Sequence, residues 1–149
     1  MEVIYFDTSA LAKWYLNEAR SEDVELYIQE RGPVDISELT TVEMRCLLAR
    51  RRREGHLNPQ VEHKVFDTFL EDVRQGFLRC HPMPAGIAIA ALNLISMVPK
   101  APLRTLDAFQ LAIAREIGAE VLATADRVMI DAATALGMRV MRFDRIRET

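Results

Sequence analysis

Apolar positions along this chain follow two rhythms that alternate from the first residues to the last. Short β-rich runs at Val3 to Phe6, Val34 to Ile36, Phe77 to Cys80, Val121 to Ala123 and Arg139 to Met141 predict strands. The longer stretches between them carry helix start and stop signals. Thr8 or Ser9 can cap a helix over Ala10 to Leu16, and Ser21 caps one that runs to Arg31 and stops at Gly32-Pro33. Thr40-Thr41-Val42-Glu43 opens a long helix ending near Gly55, and Asn58-Pro59 places proline at the first position of a helix toward Val73. Ala85 to Met97 is apolar and alanine-rich and predicts a buried helix, followed by a loop over Pro99 to Pro102. Thr105 caps a helix ending at Gly118, and Ala125 or Asp126 begins one ending at Gly137. No hairpin signal joins two strands. The pattern therefore predicts an α/β fold of three layers, with a central parallel sheet of four to five strands flanked by helices.

Composition narrows the class. A chain of 149 residues, half of them apolar and 28% charged, fits one domain over residues 1–149 with one core. No apolar run reaches the roughly 18 residues of a membrane span, and no basic, apolar and small-residue succession marks a secretory signal, so the expectation is a cytoplasmic protein without a membrane partner. Cys46 and Cys80 are expected as buried thiols. The net charge of −3 argues against binding nucleic acid through bulk charge alone. Arginine far outnumbers lysine, however, and Arg50, Arg51, Arg52 and Arg53 form a run at the end of the long helix. That run suits phosphate contacts or an acidic partner, but a solvated helix end, stabilised by the helix dipole, is the preferred reading.

The candidate chemistry is acidic. In an open parallel sheet, ligands bind beyond the carboxyl ends of the strands. Asp7 follows the first strand, Asp126 lies just past Val121 to Ala123, and Glu43 and Asp107 fall in the first turns of their helices. Each has a structural reading as well: Asp7 as a turn residue, Glu43 as the partner of Thr40 in a capping box, Asp107 as an acid favoured near a helix start, and Asp126 as an N-cap. Together they read differently. Four carboxylates within about 5 Å of one another would repel by about 3 kcal/mol per pair at an effective dielectric near 20, and such a cluster needs protons or a cation. An all-oxygen donor set points to Mg²⁺ or Mn²⁺ rather than zinc. His56, His63 and His81 show no metal-binding spacing and read as surface or loop residues. No glycine-rich phosphate loop and no nucleophilic serine elbow is present.

At these residues the sequence resembles the PIN-domain nucleases, and among them the VapC-type toxins of toxin–antitoxin pairs. Ile4-Tyr5-Phe6-Asp7-Thr8-Ser9-Ala10-Leu11 is similar to the first motif of that family. Thr41-Val42-Glu43 with Leu47 resembles the second, Leu103 to Ala114 around Asp107 the third, and Leu122-Ala123-Thr124-Ala125-Asp126 the fourth. The four in order, over the whole chain, carry the resemblance. Gln110 stands where many relatives carry histidine, and Ala125 where many carry asparagine; these departures bear on substrate contacts and remove no acid.

The resemblance implies a PIN-like fold and a Mg²⁺-dependent endoribonuclease, with Mn²⁺ able to substitute. Asp7 and Asp107 would be the main ligands of one or two ions, Glu43 would position the water or the metal, and Asp126 would act through water. Ser9 or Thr124 would hydrogen-bond a carboxylate or the scissile phosphate; for Arg50 to Arg53, RNA phosphates, an acidic partner and a solvated helix end stay open. The implied partners are an RNA substrate, a cognate antitoxin and a second copy of the chain, the last docking on an apolar helix face such as Ser21 to Arg31 or Pro59 to Val73. The main alternative is a non-catalytic PIN-like module that binds RNA or protein; such modules usually lose a carboxylate, and all four are present. A phosphatase with Asp7 as nucleophile needs a second acid where Ser9 stands, and a flap-type DNA nuclease needs insertions for which the chain is too short.

Overall fold

The computed structural model of the chain describes residues 2–144. Five strands, β1 (Ile4–Phe6), β2 (Val34–Ser37), β3 (Leu78–His81), β4 (Val121–Thr124) and β5 (Arg139–Arg142), form one sheet in the order β3-β2-β1-β4-β5. Every pairing is parallel, with Tyr5 opposite Asp35 on one side and opposite Leu122 on the other. Parallel neighbours need crossovers, and seven helices supply them: α1 (Thr8–Tyr15), α2 (Ser21–Arg31), α3 (Glu38–Arg53), α4 (Pro59–Arg74), α5 (Ile87–Met97), α6 (Thr105–Glu116) and α7 (Arg127–Ala135). The expected α/β architecture is the one observed, with five strands.

Because side chains alternate across a strand, each sheet face builds its own core. Ile4, Phe6, Val34, Ile36, Leu78, Val121 and Ala123 pack with α1 to α4, while Tyr5 and Leu122 pack with α5 to α7. The chain leaves β1 toward β2 on one side and returns from β3 to β4 on the other. The carboxyl ends of β1 and β4 therefore flank the point where the strand order reverses, the crevice where such sheets bind ligands.

Several helix starts differ from expectation, and each difference has a capping cause. The N-cap of α1 is Asp7, not Thr8 or Ser9: its carboxylate accepts the Ala10 N–H at 3.0 Å. Ser21 does not cap α2. Its hydroxyl donates to the Leu16 carbonyl and accepts from Glu18 N–H, tying down the preceding loop, while Arg20 takes the cap position with φ of 70°. Gly32, at φ 84°, ends α2 in the left-handed region open to glycine. Helix α3 begins at Glu38 with Ser37 as its cap, and the Thr40 hydroxyl accepts the Ser37 N–H at 3.2 Å. The capping box is thus Ser37 with Thr40, and Glu43, in the second turn, takes no part in it.

Helix α5 is buried along one side only. Ile87, Ala91 and Leu94 are covered, whereas Ile89 (66% exposed), Leu92 (65%), Ile95 and Met97 face outward. Cys46 is exposed and Cys80 half-buried, so neither is the buried thiol expected. His56 and His63 are exposed, but His81 lies on β3 and bonds a buried aspartate. Among the described residues no helix is long and apolar enough to cross a membrane.

Candidate active site

Asp7 leaves β1 at the carboxyl edge and turns straight into α1. Its Oδ1 accepts from the Ser9 hydroxyl at 2.7 Å and from the Ala10 N–H; its Oδ2 accepts from the Thr124 hydroxyl at the end of β4. Ser9 also receives the Ala125 N–H at 2.9 Å, so the two strand ends are stitched through hydroxyls around one carboxylate. Ser9 and Thr124 therefore do bond a carboxylate, and it is Asp7. Burial pushes the Asp7 carboxyl up to about 6; the three donors pull against that, and the charge of Asp126 adds to it.

The other three acids share a pattern. Asp126 is the N-cap of α7, with Oδ1 accepting the Val128 and Met129 N–H groups at 2.8 and 3.3 Å. Asp107, three residues into α6, accepts the Arg104 N–H at 3.1 Å through Oδ2. Glu43 accepts from the Thr8 hydroxyl at 3.2 Å and from the Gln110 amide, both at Oε1. In each case one oxygen carries the protein's hydrogen bonds and the other takes none from the described residues: Asp126 Oδ2, Asp107 Oδ1 and Glu43 Oε2. The N-cap role foreseen for Asp126 is real, and Asp107, foreseen only as an acid favoured near a helix start, also bonds a cap N–H; both leave half of the carboxylate available.

Electrostatically the acids form a row. Asp7 feels Asp126, Asp107 feels Asp126, and Glu43 feels Asp107. Desolvation is the largest cause of the raised carboxyls at Glu43 and Asp107, and the neighbouring charges add to it. Among the described residues no three His, Cys, Asp or Glu side chains stand together as a ready-made metal cage, so the four acids are more widely spaced than a tight knot. The donor chemistry nevertheless fits a hard divalent ion. Every donor is oxygen, the free oxygens belong to carboxylates, and Mg²⁺ is commonly held by one or two carboxylates with water completing its shell.

The network also recruits residues the sequence did not single out. The Tyr5 hydroxyl, buried under the sheet, bonds Ser37 Oγ at 2.8 Å, Thr40 Oγ1 at 3.3 Å and the Gln110 carbonyl oxygen. Gln110 is 3% exposed and faces Glu43, so its contacts are internal rather than to a substrate. Its partner Tyr5 lies 105 positions away, and no local spacing could signal the pair. A second missed group is Asp35, buried in β2, which accepts Arg79 through both oxygens at 2.9 Å, His81 at 2.9 Å and the Ile4 N–H at 3.0 Å. These partners hold its carboxyl below the usual range against the opposing effect of burial.

The arginine run lies elsewhere. From Glu43, α3 rises by about 10 to 15 Å before reaching Arg50 to Arg53. Arg51 pairs with Glu18 at 3.3 Å and Arg52 with Glu62 at 2.6 Å, while Arg50 and Arg53 are exposed. A shallow hollow of about 710 Å³ runs along α4 past His63, Lys64 and Asp67 and contains none of the four acids. We place the site at the carboxyl edge because the free carboxylate oxygens are there.

The fold and the sequence have known relatives. The PIN domain family profile matches residues 4–135. The chain is 33% identical to Ribonuclease VapC46 of Mycobacterium tuberculosis (strain ATCC 25618 / H37Rv) over 95% of this chain and 98% of that protein. Among solved structures, FitAcB from Neisseria gonorrhoeae shares the fold with a TM-score of 0.68, at 19% identity over 93% of this chain and 96% of that one. VapC20 of Mycobacterium tuberculosis, described as a sarcin–ricin loop cleaving toxin, does so with a TM-score of 0.66, at 20% identity over 97% and 99%.

Proposed function

We propose that this chain, which belongs to the PIN-domain family and to its VapC-type toxins, is a Mg²⁺-dependent endoribonuclease acting as the toxin of a type II toxin–antitoxin pair. The observation that carries the reading is the row of four carboxylates at one sheet edge, three of them with an oxygen that takes no hydrogen bond from the described residues. The relative named a ribonuclease, matched over nearly its whole length, supports RNA as the substrate.

Asp7, Glu43, Asp107 and Asp126 would hold the ion. Among the described residues Asp7 has the most hydrogen bonds of the four, and it keeps acceptor capacity at Oδ2, where Thr124 is the one donor. A bound Mg²⁺ supplies Lewis acidity toward the scissile phosphate and toward water. The chain's own residues do the rest. Ser9, Thr124 and the Ala10 N–H favour ionised Asp7 against the cost of its burial. Glu43, held at Oε1 by Thr8 and Gln110, would present Oε2 to the ion or to its bound water. The new bond forms between the attacking water's oxygen and phosphorus as the bond from phosphorus to the leaving oxygen breaks; the water's proton passes to solvent, and the leaving oxygen takes up a proton from solvent. Exposed Arg50 and Arg53 are the members of the run open to RNA phosphates.

The outward face of α5 is the apolar surface best suited to a second copy of the chain, in place of the α2 and α4 faces suggested by sequence. It presents Ile89, Leu92, Ile95 and Met97, whereas α2 exposes Leu26 and α4 exposes Val61 and Leu70. A cognate antitoxin and a cytoplasmic setting follow from the family reading. The non-catalytic alternative is less well supported because no acid is missing. Incubating purified protein, freed of any partner, with RNA and with DNA of the same sequence tests the proposal. RNA cleavage that stops with EDTA is expected; DNA cleavage alone, or none, contradicts it.

A further inference from the structure

Glu43 is held from inside the protein by a continuous run of side chains that starts at the sheet. Tyr5, on the middle of β1, has its hydroxyl among three partners: Ser37 Oγ at 2.8 Å, Thr40 Oγ1 at 3.3 Å and the Gln110 carbonyl oxygen. The Gln110 amide nitrogen then donates to Glu43 Oε1, beside the Thr8 hydroxyl. Tyr5, Ser37 and Thr40 are all fully buried.

The chemistry of each end dictates the orientation of the amide. An ionised carboxylate only accepts, so it must meet the nitrogen; the phenol can donate, so it meets the carbonyl. Only a side chain with a donor and an acceptor at opposite corners joins the two. A core that merely needed filling would do as well with leucine or methionine at 110 and phenylalanine at 5, which bury no polar group. The run instead ends on Oε1 of Glu43 and leaves Oε2 without a donor among the described residues. It also spans β1, β2, α3 and α6, so it ties the position of Glu43 to the sheet rather than to its own helix alone.

We propose that Gln110, held by the buried Tyr5 hydroxyl, is a positioning residue for the Glu43 carboxylate. This rests on the nuclease reading above. Groups that orient a metal-binding side chain through hydrogen bonds typically change metal affinity by 10- to 100-fold when removed.

The test uses the full chain, Mn²⁺ as the probe, and the variants Tyr5→Phe and Gln110→Met, alone and combined with Glu43→Ala. Mn²⁺ affinity by calorimetry, kcat and KM on RNA, and thermal melts are measured for each. Mn²⁺ binding weaker by about tenfold, a lower kcat at unchanged KM, and no further loss of affinity in the Glu43→Ala background are expected. Folded variants with wild-type Mn²⁺ affinity and kcat overturn the proposal while leaving the nuclease reading intact. So does a loss of the same size when Glu43 is already absent. A wild-type chain that neither binds Mn²⁺ nor cleaves RNA removes both. If Gln110→Met does not fold, Tyr5→Phe, which removes a single oxygen, decides.

Discussion

The hydroxyl of Thr124, at the end of β4, donates to Oδ2 of Asp7, at the end of β1, and so fastens two neighbouring strand ends to one buried carboxylate. Replacing it with the near-isostere valine removes this hydrogen bond to a charged acceptor and the acceptor of the Asp126 N–H at 3.0 Å, with little change in volume. Thr124→Val is expected to cost about 1.5 to 3 kcal/mol at neutral pH. Urea unfolding of the two proteins checks this; a loss under about 0.5 kcal/mol would show that Asp7 finds another donor.

Asp7 also sets a pH dependence. Its carboxyl is raised to about 6 in the fold from an ordinary value of 3.8. Between those values the folded protein holds a proton that the unfolded chain has given up. Stability is therefore highest below about pH 4 as far as this group is concerned, and falls as pH rises toward 6. At about 1.4 kcal/mol for each pH unit between the two values, the loss is about 3 kcal/mol. Asp35 acts in the opposite sense and in another window: its contribution is present above 3.8 and is lost as pH falls below that. Urea titrations at pH 4, 5, 6 and 7 without divalent ions should show the decline in the wild type and a flatter profile in Asp7→Asn.

Asp35 is the hub of the far side of the sheet. It receives Arg79, His81 and the Ile4 N–H, joining three strands with one buried carboxylate. Asp35→Ala leaves the Arg79 guanidinium without this partner in a half-buried position, so a loss of about 3 kcal/mol or more is expected. Chemical denaturation measures it. Activity per folded molecule should change little, because none of the four acids bonds Asp35.

The succession of strands and helices was legible from alternation alone, since a parallel sheet leaves apolar strand runs between amphipathic crossovers; the order of the strands within the sheet was not, because it depends on the side each crossover takes. Helix starts were less so. Ser37 and Thr40 are both cap-type residues, and only the turn taken by β2 decides that Ser37 caps and Thr40 closes the box. The apolar run of α5 carries no polar face, which reads as complete burial; the fold covers only the Ile87, Ala91 and Leu94 side. The four acids could be placed near one edge from strand ends. Their spacing could not, because it depends on capping bonds that draw Asp107 and Asp126 toward their own helix termini. The Asp35 cluster was missed because an acid inside an apolar strand shows no sign, in sequence, of the arginine that pairs with it 44 positions later.

The uncovered face of α5 yields a separate prediction. Leu92 is 65% exposed and sits one turn from Ile89 and Ile95. Leu92→Glu should convert a dimer to a monomer in light scattering at micromolar concentration without lowering the melting temperature of the monomer. A dimer unchanged by Leu92→Glu would place the contact on another face.

The row of carboxylates is tested most directly by RNA hydrolysis with purified wild type and Asp107→Asn, run side by side in Mg²⁺ and in EDTA. Asp107→Asn removes charge from an acid whose Oδ1 is free while its shape and its cap are largely retained. Wild-type cleavage that depends on Mg²⁺ and falls by at least about a hundredfold in Asp107→Asn, in line with the loss of one electrostatic partner at a reacting centre, is the predicted result. Equal cleavage by the two proteins, or wild-type cleavage that persists in EDTA, would contradict it.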